Sequence, residues 1–223
     1  IGAIREKIEK ISSNSDEKLI LITSLIYAAD RIANTVGHYD AYRENLDTRG
    51  RLELQIPNIN YSKNINNKVY CMDSNILVNE IKGDVVYIDP PYNSRQYSDT
   101  YHLLDNLALW KKPEVFGKTK KMDRSHTKSK YCSKDAVLEF QDLITKLNSK
   151  HIIVSYNNTE NSKHGRSNAK ISFNQIKNIL MKKGKTEINK IDFKAFTTGK
   201  SKTKNHKEIL FYCRVKWNKN KKN

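Results

Sequence analysis

A short apolar run, Val85-Val86-Tyr87-Ile88, ends on Asp89-Pro90-Pro91-Tyr92, and no other feature restricts the possible folds as strongly. Four such residues read as a buried strand. The two prolines cannot donate to a ladder and fix the backbone, so the strand must stop there. A plain exit turn needs neither an acid before the prolines nor an aromatic after them. In an open α/β sheet, ligands bind beyond the carboxyl ends of the strands, which is where this tetrapeptide falls.

The surrounding pattern fits such a sheet. Val69–Asp73 reads as a second short strand closing on a carboxylate, and Asn75–Ile81 as a helical segment between the two. His151–Tyr156 predicts a third buried strand. Helices are expected over 98–111, 134–149 and 172–183. Residues 186–196 and 208–217 read as two longer strands, an antiparallel pair on an otherwise parallel sheet. Upstream, residues 2–11 and 15–36 have helical spacing. In the second, Ser15 and Asp16 are candidate caps, Leu19, Ile22, Ile26, Ala29 and Ala33 share a face, and Gly37 is the stop. Residues 48–67 are irregular and Asn-rich. The expected division is a helical region over 1–67, a candidate target-recognition segment; a catalytic region over 68–217; and a basic tail over 218–223.

Charge narrows the class of partner. Among 223 residues, 41 Lys and Arg stand against 24 Asp and Glu, a formal net charge of +17. That excess favours a polyanion, although biased composition also supplies lysine. No apolar run approaches the roughly 18 residues a membrane helix needs. Three scattered cysteines, Cys71, Cys132 and Cys213, make neither a disulfide framework nor a zinc site, so a reducing cytoplasm is expected. The histidines lack metal-ligand spacing, and no nucleophile elbow or phosphate loop is present, so no metal is expected and hydrolase or phosphotransferase chemistry is disfavoured. The chain starts Ile1-Gly2, which reads as a piece of something longer.

An acid beside a rigid diproline bend can activate an exocyclic amino group, whose lone pair is delocalised into its ring. Asp89 and the carbonyl of Pro90 could each accept one amino hydrogen and aim the lone pair at an electrophile, while Tyr92 stacks on the base. A duplex base is inaccessible, so the nucleotide must swing out first.

On these residues, and on Asn93-Ser94-Arg95-Gln96-Tyr97 after them, the chain resembles adenine-specific DNA methyltransferases. The likeness is to the Dam-like alpha group and to modification methylases of type II restriction-modification systems such as the FokI- and NlaIII-like enzymes. It runs from about Leu21 to Val215. The resemblance implies a Rossmann-like methyltransferase sheet, S-adenosylmethionine as methyl donor, N(6)-methyladenine as product and double-stranded DNA as partner, in a bacterial or phage setting. It implies that Asp89, Pro90 and Tyr92 are catalytic, and that Asp73 and Asp89 face the cofactor. Taken alone, Asp73 reads equally as a helix cap.

The family's FxGxG loop is missing, since no GxG occurs anywhere in the chain. The sheet is therefore expected to be incomplete at its amino end, a missing amino-terminal half or a second subunit being implied. A non-catalytic DNA-binding fragment is the alternative, and RNA methylation a third reading.

Candidate DNA contacts are Arg95, Tyr97, Lys118, Lys120, Lys121, Arg124, Arg166, Phe196, Lys200 and Lys202. Residues 111–130 hold eight Lys or Arg against two acids, a run that is either a solvated loop or a track for the DNA backbone. Arg95 and Arg166 could read guanine edges, though ion pairing is the commoner fate of an arginine. Phe196, Lys200 and Lys202 lie in a loop that is either near the flipped base or a hairpin tip. Tyr156 reads as pocket-lining and Asn158 as turn chemistry. Arg31, His38, Tyr39, Tyr42 and Arg43 are candidates for sequence recognition.

Overall fold

A computed structural model describes residues 1–12, 14–35, 37–41, 44–45, 50–59, 66–159, 168–192 and 207–216. It divides into two units, one made of residues 1–69 and 97–127, the other of 70–96 and 128–223. Residues 97–127 thus fold with the amino-terminal helices, whereas the diproline and the residues up to Gln96 fold with the sheet.

The second unit holds a four-stranded mixed sheet. Its strands are β1 (Gly83–Ile88), β4 (Ser149–Asn157), β5 (Gly184–Asp192) and β6 (Lys207–Val215), in the order β1-β4-β6-β5. β1 runs parallel to β4, whereas β6 is antiparallel to both its neighbours. The expected mixed α/β sheet with an antiparallel carboxyl-terminal pair is therefore present.

Alternation along the strands decides which face is covered. Ile152, Val154 and Tyr156 of β4 and Ile209, Phe211 and Cys213 of β6 point one way and are buried. They pack with Phe140, Leu143 and Ile144 of α6 (Ala136–Lys146) and with Ile176, Ile179 and Leu180 of α7 (Phe173–Lys183). The i, i+3, i+4 spacing in each helix gives one apolar stripe for the sheet. α7 starts at a capping box, in which Ser172 accepts from the Gln175 N–H and the Gln175 side chain accepts from the Ser172 N–H.

One expected strand does not form. Residues 67–73 carry no ladder, and Val69 is 95 % exposed. An apolar run becomes a strand only where a neighbour takes its hydrogen bonds, and none among the described residues pairs with it. β1 accordingly lies at the edge of the sheet, and among the described residues only β4 pairs with it. Val86 and Ile88 face the core, while Val85 and Tyr87, on the opposite face, are 57 % and 60 % exposed.

The first unit is helical. α1 (Gly2–Ile11) packs on α2 (Ser15–Ile32) through Ile8, Ile22 and Leu25. Asn14 caps α2, its side chain accepting from the Glu17 N–H, in place of the expected Ser15 or Asp16. The helix stops at Ile32, short of Gly37, and Leu19 faces solvent instead of the core. The expected helix over 98–111 is split at Tyr101 into α4 (Tyr97–Thr100) and α5 (His102–Leu109). The basic stretch forms a short hairpin, β2 (Val115–Phe116) and β3 (Lys121–Met122), turning through Gly117 at φ +67° and Lys120 at φ +50°.

Candidate functional site

The register of β1 on β4 pairs Ile88 with Val154, which sets the first residues after β1 level with Ser155 and Tyr156. Three of the residues singled out in the sequence meet at this rim. Asp89 is exposed and Pro90 is buried beneath it, so the acid is presented outward on a packed base. The Tyr92 hydroxyl donates to Asp89 Oδ1 at 2.8 Å. Half-burial, then the neighbouring carboxylate, hold the Tyr92 phenol well above its usual range; a hydrogen bond from Ser155 acts in the opposite sense.

The loop is held from behind. The Tyr92 carbonyl accepts from the Lys170 N–H at 2.7 Å and from the Tyr156 hydroxyl at 3.1 Å. Arg95 N–H donates to Asn93 Oδ1, and the Arg95 carbonyl accepts from Cys132 Sγ. The Gln96 side chain grips the Ser129 backbone in both directions, at 2.7 and 3.1 Å. Exposed on this loop are Ser94, an arginine, Arg95, and a carboxylate with one oxygen engaged by a phenol. Such a carboxylate can accept a hydrogen from an amino group without being buried first.

The other predicted residues lie elsewhere. Asp73 sits at the start of α3 (Ser74–Leu77), where Oδ1 accepts from the Asn75 N–H at 2.8 Å. With no strand over 69–73, the carboxylate is used as a helix cap. Tyr156 is 1 % exposed, so it underlies the loop rather than lining a pocket. Asn158 Oδ1 accepts from the Lys207 N–H at 2.9 Å, a contact that joins the end of β4 to the start of β6 rather than closing a local turn.

Lys118, Lys120, Lys121, Arg124 and Tyr97 belong to the first unit. Lys121 pairs with the Asp40 carboxylate and carbonyl, and Arg124 with Asp99 at 2.9 Å while only 11 % of its side chain is exposed. Both act as internal braces. Lys118, 77 % exposed, reaches Glu44 at 2.7 Å, a surface pair of little strength. Tyr97 stacks on Tyr101. Of the recognition candidates, Tyr39 donates to Asp30 at 2.6 Å and Arg31 to Gln55 at 3.1 Å. Arg166, Phe196, Lys200, Lys202, Tyr42 and Arg43 lie outside the described residues.

Sequence reasoning missed Arg5. It is 1 % exposed, donating to the carbonyls of Leu107 and Ala108 at the end of α5 and to Glu9. An arginine in a polar, charge-rich helix gave no signal of that. Among the described residues no cluster of His, Cys, Asp and Glu could hold a metal, and no helix is long and apolar enough to cross a membrane.

A family profile described as D12 class N6 adenine-specific DNA methyltransferase matches residues 1–163. The chain belongs to this family. The resemblance read from Asp89-Pro90-Pro91-Tyr92 is thereby borne out. Similar proteins include Modification methylase StsI of Streptococcus sanguinis, 38 % identical over 99 % of this chain and 34 % of its own length. Type II methyltransferase M.NlaIII of Neisseria lactamica is 34 % identical over 93 % of the chain and 60 % of its own length. Type II methyltransferase M.FokI of Planomicrobium okeanokoites is 37 % identical over 89 % and 30 %. The chain thus spans between about a third and three fifths of the length of these relatives. No solved structure matches.

Proposed function

We propose that this chain carries the target-adenine side of a site-specific DNA methyltransferase, the modification enzyme of a restriction-modification system. Asp89 accepts a hydrogen of the exocyclic amino group of a flipped adenine, the Pro90 carbonyl takes the second, and Tyr92 stacks on the ring. The observation that carries this reading is the exposed Asp89 carboxylate at the carboxyl end of a sheet strand, hydrogen-bonded by Tyr92 and set on a buried proline.

The methyl donor of this chemistry is S-adenosylmethionine. The described residues fit it only in part: Asp89 stands at the rim, but Asp73 is committed to capping α3, and no GxG loop is present in the chain. The sheet is read as a Rossmann-like methyltransferase sheet lacking strands beyond β1. The open edge of β1, the exposed Val85 and Tyr87, and the greater length of the relatives support that reading. An amino-terminal half or second subunit would supply those strands. Lys118 and Lys120, on the hairpin turn, and Arg95 are proposed to meet duplex DNA.

The missing donor loop also favours a second reading, a DNA-binding fragment that transfers nothing. Labelled methyl transfer separates the two. The full-length protein, containing this chain, is incubated with labelled S-adenosylmethionine and duplex DNA, and the nucleosides are resolved. Label in N(6)-methyladenine is expected. Label in no nucleoside, together with retained DNA binding, would establish the second reading. Stronger competition by RNA than by duplex DNA would establish RNA as substrate.

A further inference from the structure

We infer that Tyr156 is a positioning residue for the Asp89 carboxylate, acting through Tyr92; this rests on the functional reading above. The observations lie within the second unit. Tyr156 is a phenol buried to 1 % exposure near the carboxyl end of β4, where a phenylalanine would fill the same space. Its hydroxyl serves two backbone groups that are distant in sequence. It donates to the Tyr92 carbonyl at 3.1 Å and accepts from the Ile171 N–H at 3.1 Å. The segment 170–171 is thus tied to the back of the diproline loop twice, directly by the Lys170 N–H on the same carbonyl at 2.7 Å and through the Tyr156 side chain.

The ring of Tyr156 meets that of Tyr92 edge to face, centroids 5.1 Å apart and planes at 82°. This geometry favours one orientation of the Tyr92 ring, since the positive edge of one ring faces the negative face of the other. Tyr92 in turn donates to Asp89 Oδ1 at 2.8 Å. One line of contacts therefore runs from a buried side chain to a backbone carbonyl and ring, and on to the exposed carboxylate. Among the described residues, the Tyr92 hydroxyl is the hydrogen-bond donor that holds the exposed Asp89 carboxylate. Catalysis that depends on aiming a lone pair is sensitive to rotation of that carboxylate, and a misplacement of about 1 Å costs on the order of a hundredfold in rate.

Tyr156→Phe keeps the ring and deletes the tie, and Tyr156→Leu deletes both. In the full-length enzyme, Tyr156→Phe is expected to lower kcat at least about tenfold, with KM for duplex DNA unchanged within about twofold. Combined with Asp89→Asn, it should lower the residual rate no further, because both changes act on one group. A second readout needs no turnover. In protein labelled with 3-fluorotyrosine, the Tyr92 fluorine resonance, assigned by its loss in Tyr92→Phe, should move in Tyr156→Phe in the direction it moves in Asp89→Asn. An unmoved Tyr92 resonance, or an unchanged kcat beside an active wild type, overturns the inference. A wild type that methylates nothing counts against the functional reading alone, and the resonance still decides the role of Tyr156. If Tyr156→Leu fails to fold, Tyr156→Phe carries the test.

Discussion

Arg5 shows how much a single side chain can do that its sequence neighbourhood conceals. The guanidinium takes up two carbonyls at the carboxyl end of α5, where helix partial charge favours a cation, while Glu9 balances it at 2.5 Å. Arg5→Ala leaves those carbonyls buried without a donor. It should destabilise the first unit by about 2–4 kcal/mol, measured by denaturant unfolding. A cost of less than about 0.5 kcal/mol would mean that water replaces the guanidinium. The same scale explains what was legible at the site. Asp89, Pro90 and Tyr92 could be placed from sequence because two prolines force the backbone whatever surrounds them. Asp73 reads ambiguously because a strand-end acid and a helix cap look alike in one dimension. Only the missing ladder over 67–73 tips it toward the cap.

Among elements, the junction of α7 and β5 has little slack. The helix passes directly into the strand at Gly184, and a Cβ there would lie 2.1 Å from the Arg214 carbonyl oxygen on β6. The obstacle is backbone, so no side-chain rotation relieves it. Gly184→Ala should separate β5 from β6 at that end and destabilise the second unit by about 2 kcal/mol or more, seen as a lowered Tm. An unchanged Tm would show that the ladder shifts freely. β4, β6, α6 and α7 were legible because each has a clear period and is covered on one face by apolar partners, whereas β5 adds only the partly buried Ile188 to that core. The strand expected over 69–73 has the composition but not the partner. Ladder pairing is a property of two segments, and sequence supplies only one of them. The break between α4 and α5 at Tyr101 likewise has no Pro or Gly to announce it.

For the whole molecule, charge and topology make separate statements. A net charge of +17 forecasts a polyanion, but the structure divides the lysines and arginines of residues 111–130 into braces and exposed heads. Lys121 and Arg124 hold the first unit together, whereas Lys118 and Lys120 stand on the hairpin turn. Replacing Lys118 and Lys120 together by Ala should reduce the slope of log K against log salt for duplex binding by about 0.9 for each phosphate no longer neutralised, without sequence preference. An unaltered slope would place the hairpin away from DNA. Replacing Lys121 or Arg124 should instead lower stability. The sheet, for its part, offers an acid at its rim, the observation on which the functional reading stands, and, among the described residues, an edge at β1 paired with β4 alone. The most direct test of the proposed activity is single-turnover methyl transfer by the protein carrying Asp89→Ala, measured beside equilibrium DNA binding. If Asp89 aims the amino group, the rate falls by roughly a hundredfold or more while duplex affinity stays nearly unchanged. Transfer at close to the wild-type rate would contradict that role.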